Sequence, residues 1–205
     1  MSVRRKTIGI VDYGVGNHAS VWQALHSLDF RCRVSADPTV LSESDLLLLP
    51  GVGAFRAAMT ALHERGLAGY LQREGRSGRP LVGLCLGMQL LADASDEFGE
   101  TTGLGLIPGR VRPFRHERWH IGWNSIQVMH NDPLLIKSDN QSVYFNHSYV
   151  FETHPEYEIC QAKMSSSFTV GVRHGKMVGL QFHPEKSQAA GRSMLKNIIE
   201  GLCRD

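Results

Sequence analysis

The chain has 205 residues, of which 42% are hydrophobic and 20% charged, a composition typical of a globular protein. Its 22 basic and 20 acidic residues give a formal net charge of +2, which does not indicate nucleic acid or an anionic membrane as a partner. The apolar stretch after the basic start is interrupted by Asp12, Gly14 and Gly16, which excludes a signal peptide or spanning helix there. We expect one domain over residues 1–205.

The four cysteines lie far apart in the sequence and form no CxxC pair: Cys32, Cys85, Cys160 and Cys203. This spacing argues against a disulfide framework and against a structural zinc site. We therefore expect a reducing, cytoplasmic compartment, no metal and no cofactor. A single cysteine in a distinctive sequence context then becomes a candidate nucleophile.

Short apolar runs alternate with helical patterns along the chain. The runs predict strands at residues 7–11, 31–35, 46–49, 81–84 and 178–182. Asn17 is predicted to cap the first helix, and a later helix to continue past Gly66 towards Tyr70. Another helix is predicted to start just after Cys85, and the last to span about residues 189–202.

Strands that are apolar throughout and alternate with helices are typical of a parallel sheet covered on both faces. The predicted fold is therefore a three-layer α/β sandwich with a mostly parallel central sheet. Residues 111–178 have shorter strand-like pieces and more turns, so this part is predicted to be mixed. In such sheets, functional sites lie at the carboxyl ends of the strands.

The segment Gly83-Leu84-Cys85-Leu86-Gly87 has the form G-x-C-x-G at a predicted strand-to-helix turn. Glycines two residues on either side would relieve crowding around a nucleophile at a sharp turn. The following helix would favour a thiolate at Cys85, and the Leu86 amide would point to where an oxyanion forms. On this segment alone, a small buried cysteine packed between glycines is an equal alternative.

His183, Pro184 and Glu185 follow the last predicted strand. Pro184 favours an extended conformation at His183, in which His183 and Glu185 project to the same side. The carboxylate could then hold the imidazole while the ring takes a proton from a thiol. The alternative is a surface turn with an incidental histidine, since the chain has ten.

Residues 50–55 form a glycine-rich loop that leads into a helix. Such a loop can turn backbone N–H groups towards an anion. Beside the turn at Cys85, Val52 and Gly53 become candidates for a second oxyanion donor. By itself the loop could equally be a tight turn.

Residues 83–89 and 182–185 resemble the motifs of class I glutamine amidotransferases. Within that class, residues 10–17, 50–55, 103–109, 122–124, 144–149 and 183–187 fit, in order, the pattern of the glutaminase subunits of imidazole glycerol phosphate synthase. The resemblance implies a flavodoxin-like sandwich and hydrolysis of L-glutamine. It also implies that Cys85 attacks the side-chain amide, that His183 transfers protons and that Glu185 orients His183.

The resemblance further implies that glutamine is held by Gln89, by Glu97 and by the backbone around His147, Ser148 and Tyr149. A carboxylate such as Glu97 is a natural partner for the α-ammonium group of glutamine. The alternative for Glu97 is an exposed acid at a helix end.

A (βα)8-barrel cyclase of histidine biosynthesis is the partner that the resemblance implies, with Trp123 and Lys186 near the junction. The family usually has a proline where this chain has Trp119, in the stretch that faces the partner. Related glutaminases supply ammonia for sugar amidation in surface-polysaccharide pathways, which is the alternative pathway.

Two hypotheses from other classes compete with this interpretation. Residues 116–120 read His-Glu-Arg-Trp-His and fit the H-E-x-x-H motif of zinc hydrolases, which requires a helix. Pro113 and Gly122 leave barely two turns for one. A binding module that has lost the reaction is the other hypothesis, and the cysteine, histidine and glutamate count against it.

Overall fold

The computed structural model describes residues 4–204. Six α-helices are found in these residues: α1 (His18–His26), α2 (Pro38–Ser42), α3 (Phe55–Glu64), α4 (Leu67–Arg76), α5 (Leu86–Leu90) and α6 (Gln188–Leu202). The strands are β1 (Thr7–Val11), β2 (Arg31–Ser35), β3 (Leu46–Gly51), β4 (Leu81–Cys85), β5 (Ala94–Ser95), β6 (Thr101–Thr102), β7 (Arg110–Pro113), β8 (His120–Val128), β9 (Ser142–His147), β10 (Tyr149–Glu152), β11 (Glu158–Lys163), β12 (Ser167–His174) and β13 (Met177–Leu180). Short 3-10 helices lie at Ile136–Ser138, Pro155–Tyr157 and Pro184–Lys186.

The central sheet has nine strands in the order β2-β1-β3-β4-β13-β12-β11-β8-β9. The first five strands are parallel to their neighbours. From β13 onwards the neighbouring strands are antiparallel. The parallel part therefore corresponds to the predicted apolar runs, and the antiparallel part to the region that was predicted to be mixed. A second sheet has the order β10-β7-β5-β6.

The core lies on both faces of the parallel part of the sheet. Successive side chains of a strand point to opposite faces, so in β3 Leu47 and Leu49 pack on one side, while Leu46 and Leu48 pack on the other. Helices α3, α4 and α5 cover the first face. Helices α1 and α6 cover the second. This arrangement is the predicted three-layer sandwich.

Most predicted boundaries agree with the structure, and Asn17 caps α1 by accepting a hydrogen bond from the Ser20 amide at 3.2 Å. One helix was predicted to run past Gly66, but the chain forms two helices there. Gly66 has φ +69°, a left-handed conformation that ends α3 and redirects the chain into α4. The last strand ends at Leu180 rather than residue 182, although the Gln181 amide still donates to Val170 O at 2.9 Å.

None of the helices within residues 4–204 has the length and apolar character that crossing a membrane requires.

Gly191 of α6 allows the helix to approach the segment that carries His183 and Glu185. A Cβ atom at Gly191 would lie 2.0 Å from the carbonyl oxygen of Pro184, which is backbone and cannot swing away. We expect Gly191→Ala to lower the free energy of unfolding by about 2 kcal/mol because the helix must shift. Urea denaturation of the two proteins measures this change.

Gly69 of α4 provides a matched control, since its Cβ would meet only the flexible end of Arg73, at 3.5 Å. Gly69→Ala should raise the free energy of unfolding by about 0.5–1 kcal/mol through helix propensity. Equal effects of the two substitutions would contradict the packing that we describe around Pro184.

Candidate active site

Cys85 lies at the turn where β4 ends and α5 begins. Its backbone has φ +54° and ψ −112°, a conformation that non-glycine residues rarely adopt and that persists only where the surroundings enforce it. A Cβ at Gly83 would lie 2.5 Å from Gly87 O, and one at Gly87 would lie 1.9 Å from Leu49 O. The two glycines are therefore required by close backbone contacts on either side of Cys85, as the motif predicted.

His183 and Glu185 form a buried pair beside this turn. His183 Nδ1 lies 2.8 Å from Glu185 Oε1, and the side chains are only 5% and 2% exposed. Because a carboxylate accepts, Nδ1–H is the donor, which leaves the other ring nitrogen for Cys85. The predicted contact is present, but the predicted extended segment is wrong. Residues Pro184–Lys186 form a 3-10 turn, in which the Lys186 amide donates to His183 O at 3.0 Å.

The pKa of His183 is raised to about 9. Burial by itself would lower it, but hydrogen bonds with Cys85 and Glu185, and the charges of both, outweigh the burial. The pKa exceeds the 6.5 of an unperturbed histidine. The bound proton therefore stabilises the fold fully below pH 6.5, and this contribution is lost as the pH rises through about 9.

The glycine-rich loop lies against the turn because β3 and β4 are neighbours. Gly51, the last residue of β3, pairs with Cys85, and Val52 and Gly53 follow it into the loop. Gly53 has φ +92°, and a Cβ there would meet nothing within 4 Å. Glycine is therefore required at this position by the backbone conformation and not by a close contact. The buried Tyr13 hydroxyl donates to Pro50 O at 2.9 Å and fixes the start of the loop.

A cavity of about 240 Å³ opens over Cys85. The three residues of the predicted oxyanion site, Val52, Gly53 and Leu86, line this cavity. All five residues that were predicted to bind substrate also line it, namely Gln89, Glu97, His147, Ser148 and Tyr149. With His183 and Lys186, residues from five separate parts of the sequence thus line one cavity.

Glu97 is buried at 8% exposure, which contradicts the alternative of an exposed acid. Its Oε2 accepts a hydrogen bond from the Phe55 amide at 2.6 Å, at the start of α3. The residue at the N-cap position, Ala54, has no side chain to cap the helix. Glu97 therefore stabilises the helix N-terminus and at the same time lines the cavity.

His147 is neutral in this cavity. Its Nδ1 lies 2.8 Å from Tyr149 O and its Nε2 lies 3.1 Å from His120 Nδ1. The pKa of His147 is lowered to about 3, chiefly by burial; the hydrogen bond to Tyr149 opposes this shift, and the nearby His120 and His183 add to it. Since the carbonyl can only accept, Nδ1 carries the proton of His147 and Nε2 accepts from His120.

Four residues near the site were not predicted from the sequence to take part in glutamine hydrolysis. Gln181 is fully buried, and its Nε2 lies 3.9 Å from Cys85 Sγ. Asn146 O lies 3.9 Å from the same sulfur, and His120 supports His147. Tyr144 packs between the two predicted interface residues. Only Gln181 had a visible signal, as an amide within a predicted apolar strand.

The predicted partner residues Trp123 and Lys186 both lie against Tyr144, and Lys186 also lines the cavity. The Trp123 ring contacts the Tyr144 ring edge-on, with centroids 6.1 Å apart, and Lys186 Nζ lies 6.0 Å from the Tyr144 ring centroid. Trp123 is 51% exposed, and Ile121 and Trp119 on the same stretch are 60% and 59% exposed. Large apolar side chains that remain this exposed in one patch are typical of an interaction surface.

The H-E-x-x-H segment lacks the helix that a zinc hydrolase needs. Residues 114–119 have no regular structure, and His120 begins β8. His116 is exposed, whereas His120 points inward to His147. The two histidines therefore do not share a helical face, and within residues 4–204 no group of three or more potential ligands is arranged to hold a metal ion.

The sequence matches the family described as glutamine amidotransferase class-I over residues 9–201. The chain belongs to the class I glutamine amidotransferases. It is 43% identical to the imidazole glycerol phosphate synthase subunit HisH of Carboxydothermus hydrogenoformans over 196 residues, covering 94% of this chain and 98% of that protein. It is 41% identical to the subunit HisH of Streptococcus sanguinis, covering 93% and 94%.

Solved structures support the same fold for this glutamine amidotransferase. The structure of PurLQS from Thermotoga maritima matches with a TM-score of 0.79 at 18% identity, covering 97% of this chain and 100% of that chain. A glutamine amidotransferase from Thermotoga maritima matches with a TM-score of 0.72 at 15% identity, covering 99% and 100%.

Removing the charge of Glu185 tests the origin of the raised pKa of His183. Glu185→Gln keeps an oxygen that can accept from Nδ1–H but lowers the pKa of His183, because the imidazolium loses its anionic partner. We expect His183 to titrate near pH 9 in the unmodified protein and at lower pH in the variant. The measurement is an NMR titration of the ring signals.

Glu156→Gln is the matched control, because it removes a carboxylate beside the exposed His154 instead. It should leave the titration of His183 unchanged. An unmodified protein in which His183 titrates near 6.5 would contradict the geometry of the pair.

Proposed function

We propose that this amidotransferase is a glutaminase subunit that hydrolyses L-glutamine to glutamate and ammonia through a thioester on Cys85. The observation that carries the proposal is the position of His183, which is held by Glu185 and lines the same cavity as Cys85. A thiol, a base and an acid that orients the base, in this order, form the constellation of a nucleophilic triad.

The reaction starts after the thiol proton has passed from Cys85 to His183, which the raised pKa of His183 favours near pH 7, and the Cys85 sulfur then attacks the side-chain carbonyl carbon of glutamine. Negative charge then develops on the carbonyl oxygen. The proposed donors to it are the Leu86 amide, directly after Cys85, and an amide of the Val52–Gly53 loop. The resulting imidazolium is stabilised by Glu185 and protonates the leaving nitrogen, which departs as ammonia.

Hydrolysis of the thioester reverses these roles. His183 removes a proton from a water molecule, the water oxygen attacks the thioester carbonyl, and the sulfur leaves as glutamate is released. The neutral His147 would not compete for protons near pH 7, because its pKa lies at about 3.

Recognition of glutamine follows from the groups that line the cavity. Glu97 accepts from the Phe55 amide through Oε2 and lines the cavity. Its other oxygen and its negative charge can therefore pair with the α-ammonium group of the substrate. The NH₂ group of Gln89 already donates to Gln181 Oε1 and Tyr149 O, which leaves its carbonyl oxygen to accept from the substrate. His147, Ser148 and Tyr149 form the opposite wall and supply backbone groups.

The proposed partner is a (βα)8-barrel cyclase that receives the ammonia and makes imidazole glycerol phosphate in histidine biosynthesis. Ammonia is mostly protonated at neutral pH, so productive transfer needs a closed route into a second active site. The exposed patch around Trp123 suits such docking, and Lys186, which lies on the other side of Tyr144, connects it to the cavity. The four free cysteines fit the reducing, cytoplasmic compartment of this pathway.

Partner binding would control the reaction through the Gly51–Gly53 segment. Gly53 already has a positive φ and open space around it, so a peptide flip that presents or withdraws an oxyanion donor meets little resistance. Removing one oxyanion donor lowers the rate of the catalysed reaction by about 10²–10³-fold.

Cys85→Ala should reduce ammonia release from glutamine by at least about 10³-fold, because no other group can form the thioester. An electrophilic glutamine analogue should label Cys85 alone, since burial raises the pKa of the Cys32 thiol to about 11 and also raises that of Cys160. Peptide mass spectrometry identifies the labelled residue.

Cys203→Ala is the control and should retain full activity, because Cys203 lies at the end of α6. Labelling of Cys32, Cys160 or Cys203, or activity retained by Cys85→Ala, would refute the proposed nucleophile.

Addition of the cyclase and its ligand should raise the rate of ammonia release by about 10²–10³-fold over the isolated chain. A coupled glutamate dehydrogenase assay measures this rate. Full-speed hydrolysis by the isolated chain would contradict partner control. Stimulation by a sugar-amidating synthase but not by the cyclase would instead support the surface-polysaccharide pathway.

A further inference from the structure

Gln181 presents a fully buried polar side chain to the nucleophile. It lies directly after the last residue of β13. This strand is the neighbour of β4, which ends at Cys85. Its Nε2 is 3.9 Å from Cys85 Sγ, within reach of an N–H···S hydrogen bond, and its Oε1 is 2.9 Å from Gln89 Nε2. None of the steps proposed above uses this side chain.

The orientation of the Gln181 amide follows from a backbone carbonyl. Tyr149 O can only accept, so the Gln89 atom 3.3 Å from it must be the NH₂ group. The same NH₂ group therefore donates to Gln181, and the Gln181 atom it meets must be the oxygen. It follows that Gln181 turns its own NH₂ group towards the sulfur of Cys85.

The Tyr149 carbonyl is itself held in place from two sides. His147 Nδ1–H donates to it at 2.8 Å, in addition to Gln89. Reversing either glutamine amide would place two oxygens or two NH₂ groups against each other in a buried space, at the cost of an unsatisfied group. One orientation of Gln181 is thus enforced.

An N–H donor and a carbonyl acceptor have opposite effects on a cysteine. Asn146 O, also 3.9 Å from Sγ, can accept from a thiol and favours the protonated form. Gln181 Nε2–H can donate to a thiolate and favours the ionised form. Because Gln181 is shielded from water, solvent does not compete for this hydrogen bond.

We propose that Gln181 is a further catalytic residue, which donates an N–H to the Cys85 sulfur and stabilises the thiolate that attacks glutamine. The proposal rests on the proposed function in that Cys85 is the nucleophile. Gln181 does not take up or release a proton itself; His183 retains that role.

The test is the alkylation of Cys85 by iodoacetamide in the full chain, from about pH 6 to about pH 10. Mass spectrometry of the peptide that contains Cys85 gives the rate at each pH. Gln181→Met removes the donor at similar volume. Gln181→Glu retains the volume and an acceptor for Gln89, but replaces the N–H donor with an oxygen.

Gln72→Met is the matched control. Gln72 is a half-buried glutamine of α4 whose Nε2 donates to Leu104 O at 3.0 Å, away from the cavity. Thermal unfolding of all three variants shows whether each of them is folded.

We expect Gln181→Met to lower the alkylation rate of Cys85 about tenfold near neutral pH, the effect of one hydrogen bond to a charged group. The rates should converge at high pH, where the sulfur is ionised in every variant. Gln181→Glu should react more slowly still, because its carboxylate faces the sulfur. Gln72→Met should match the unmodified protein.

An unchanged pH profile in folded Gln181→Met, with only a raised KM for glutamine, would overturn the proposal and reduce Gln181 to a support for Gln89. If Gln181→Met does not fold, the same comparison is made with the near-isosteric Gln181→Glu. An unchanged pH profile of alkylation in that variant would likewise overturn the proposal. These outcomes are independent of the proposed function, which fails instead if Cys85→Ala still releases ammonia from glutamine.

Discussion

The backbone conformation at Cys85 is the constraint on which the rest of the site depends. The chain must leave a central strand and enter a helix within one residue, at φ +54°. Gly87 then lies directly against the Leu49 carbonyl, and Gly51 pairs with Cys85. The two neighbours of β4 are parallel to it, so their carboxyl ends lie at the same edge of the sheet. The glycine-rich loop after β3 and the segment of His183 after β13 therefore lie beside the sulfur.

Buried charge in the site is balanced by specific partners. The imidazolium of His183 is paired with Glu185, and the carboxylate of Glu97 faces the N-terminus of α3. His147 has no acidic partner of this kind, and burial keeps it neutral. Two histidines in one cavity thus have pKa values of about 9 and about 3, so His183 holds an extra proton near pH 7 while His147 stays neutral.

Features encoded in a short stretch of sequence could be predicted, and contacts between distant residues could not. The glycine spacing around Cys85 indicates a sharp turn of the backbone at that residue. Continuous apolar runs indicate strands that are buried on both faces of a sheet. The hydrogen bond between Gln89 and Gln181 joins residues 92 positions apart, and no local pattern encodes it. The break at Gly66 was missed because a glycine within a helical pattern is compatible with either outcome.

We propose that Cys85 carries the glutamyl group during the reaction. The most direct measurement is rapid acid quenching of the enzyme during turnover of glutamine, followed by mass spectrometry of its peptides. We expect a glutamyl adduct on the peptide that contains Cys85, which disappears when glutamine is exhausted. Ammonia release with no adduct on this peptide, or with an adduct on another residue, would contradict it.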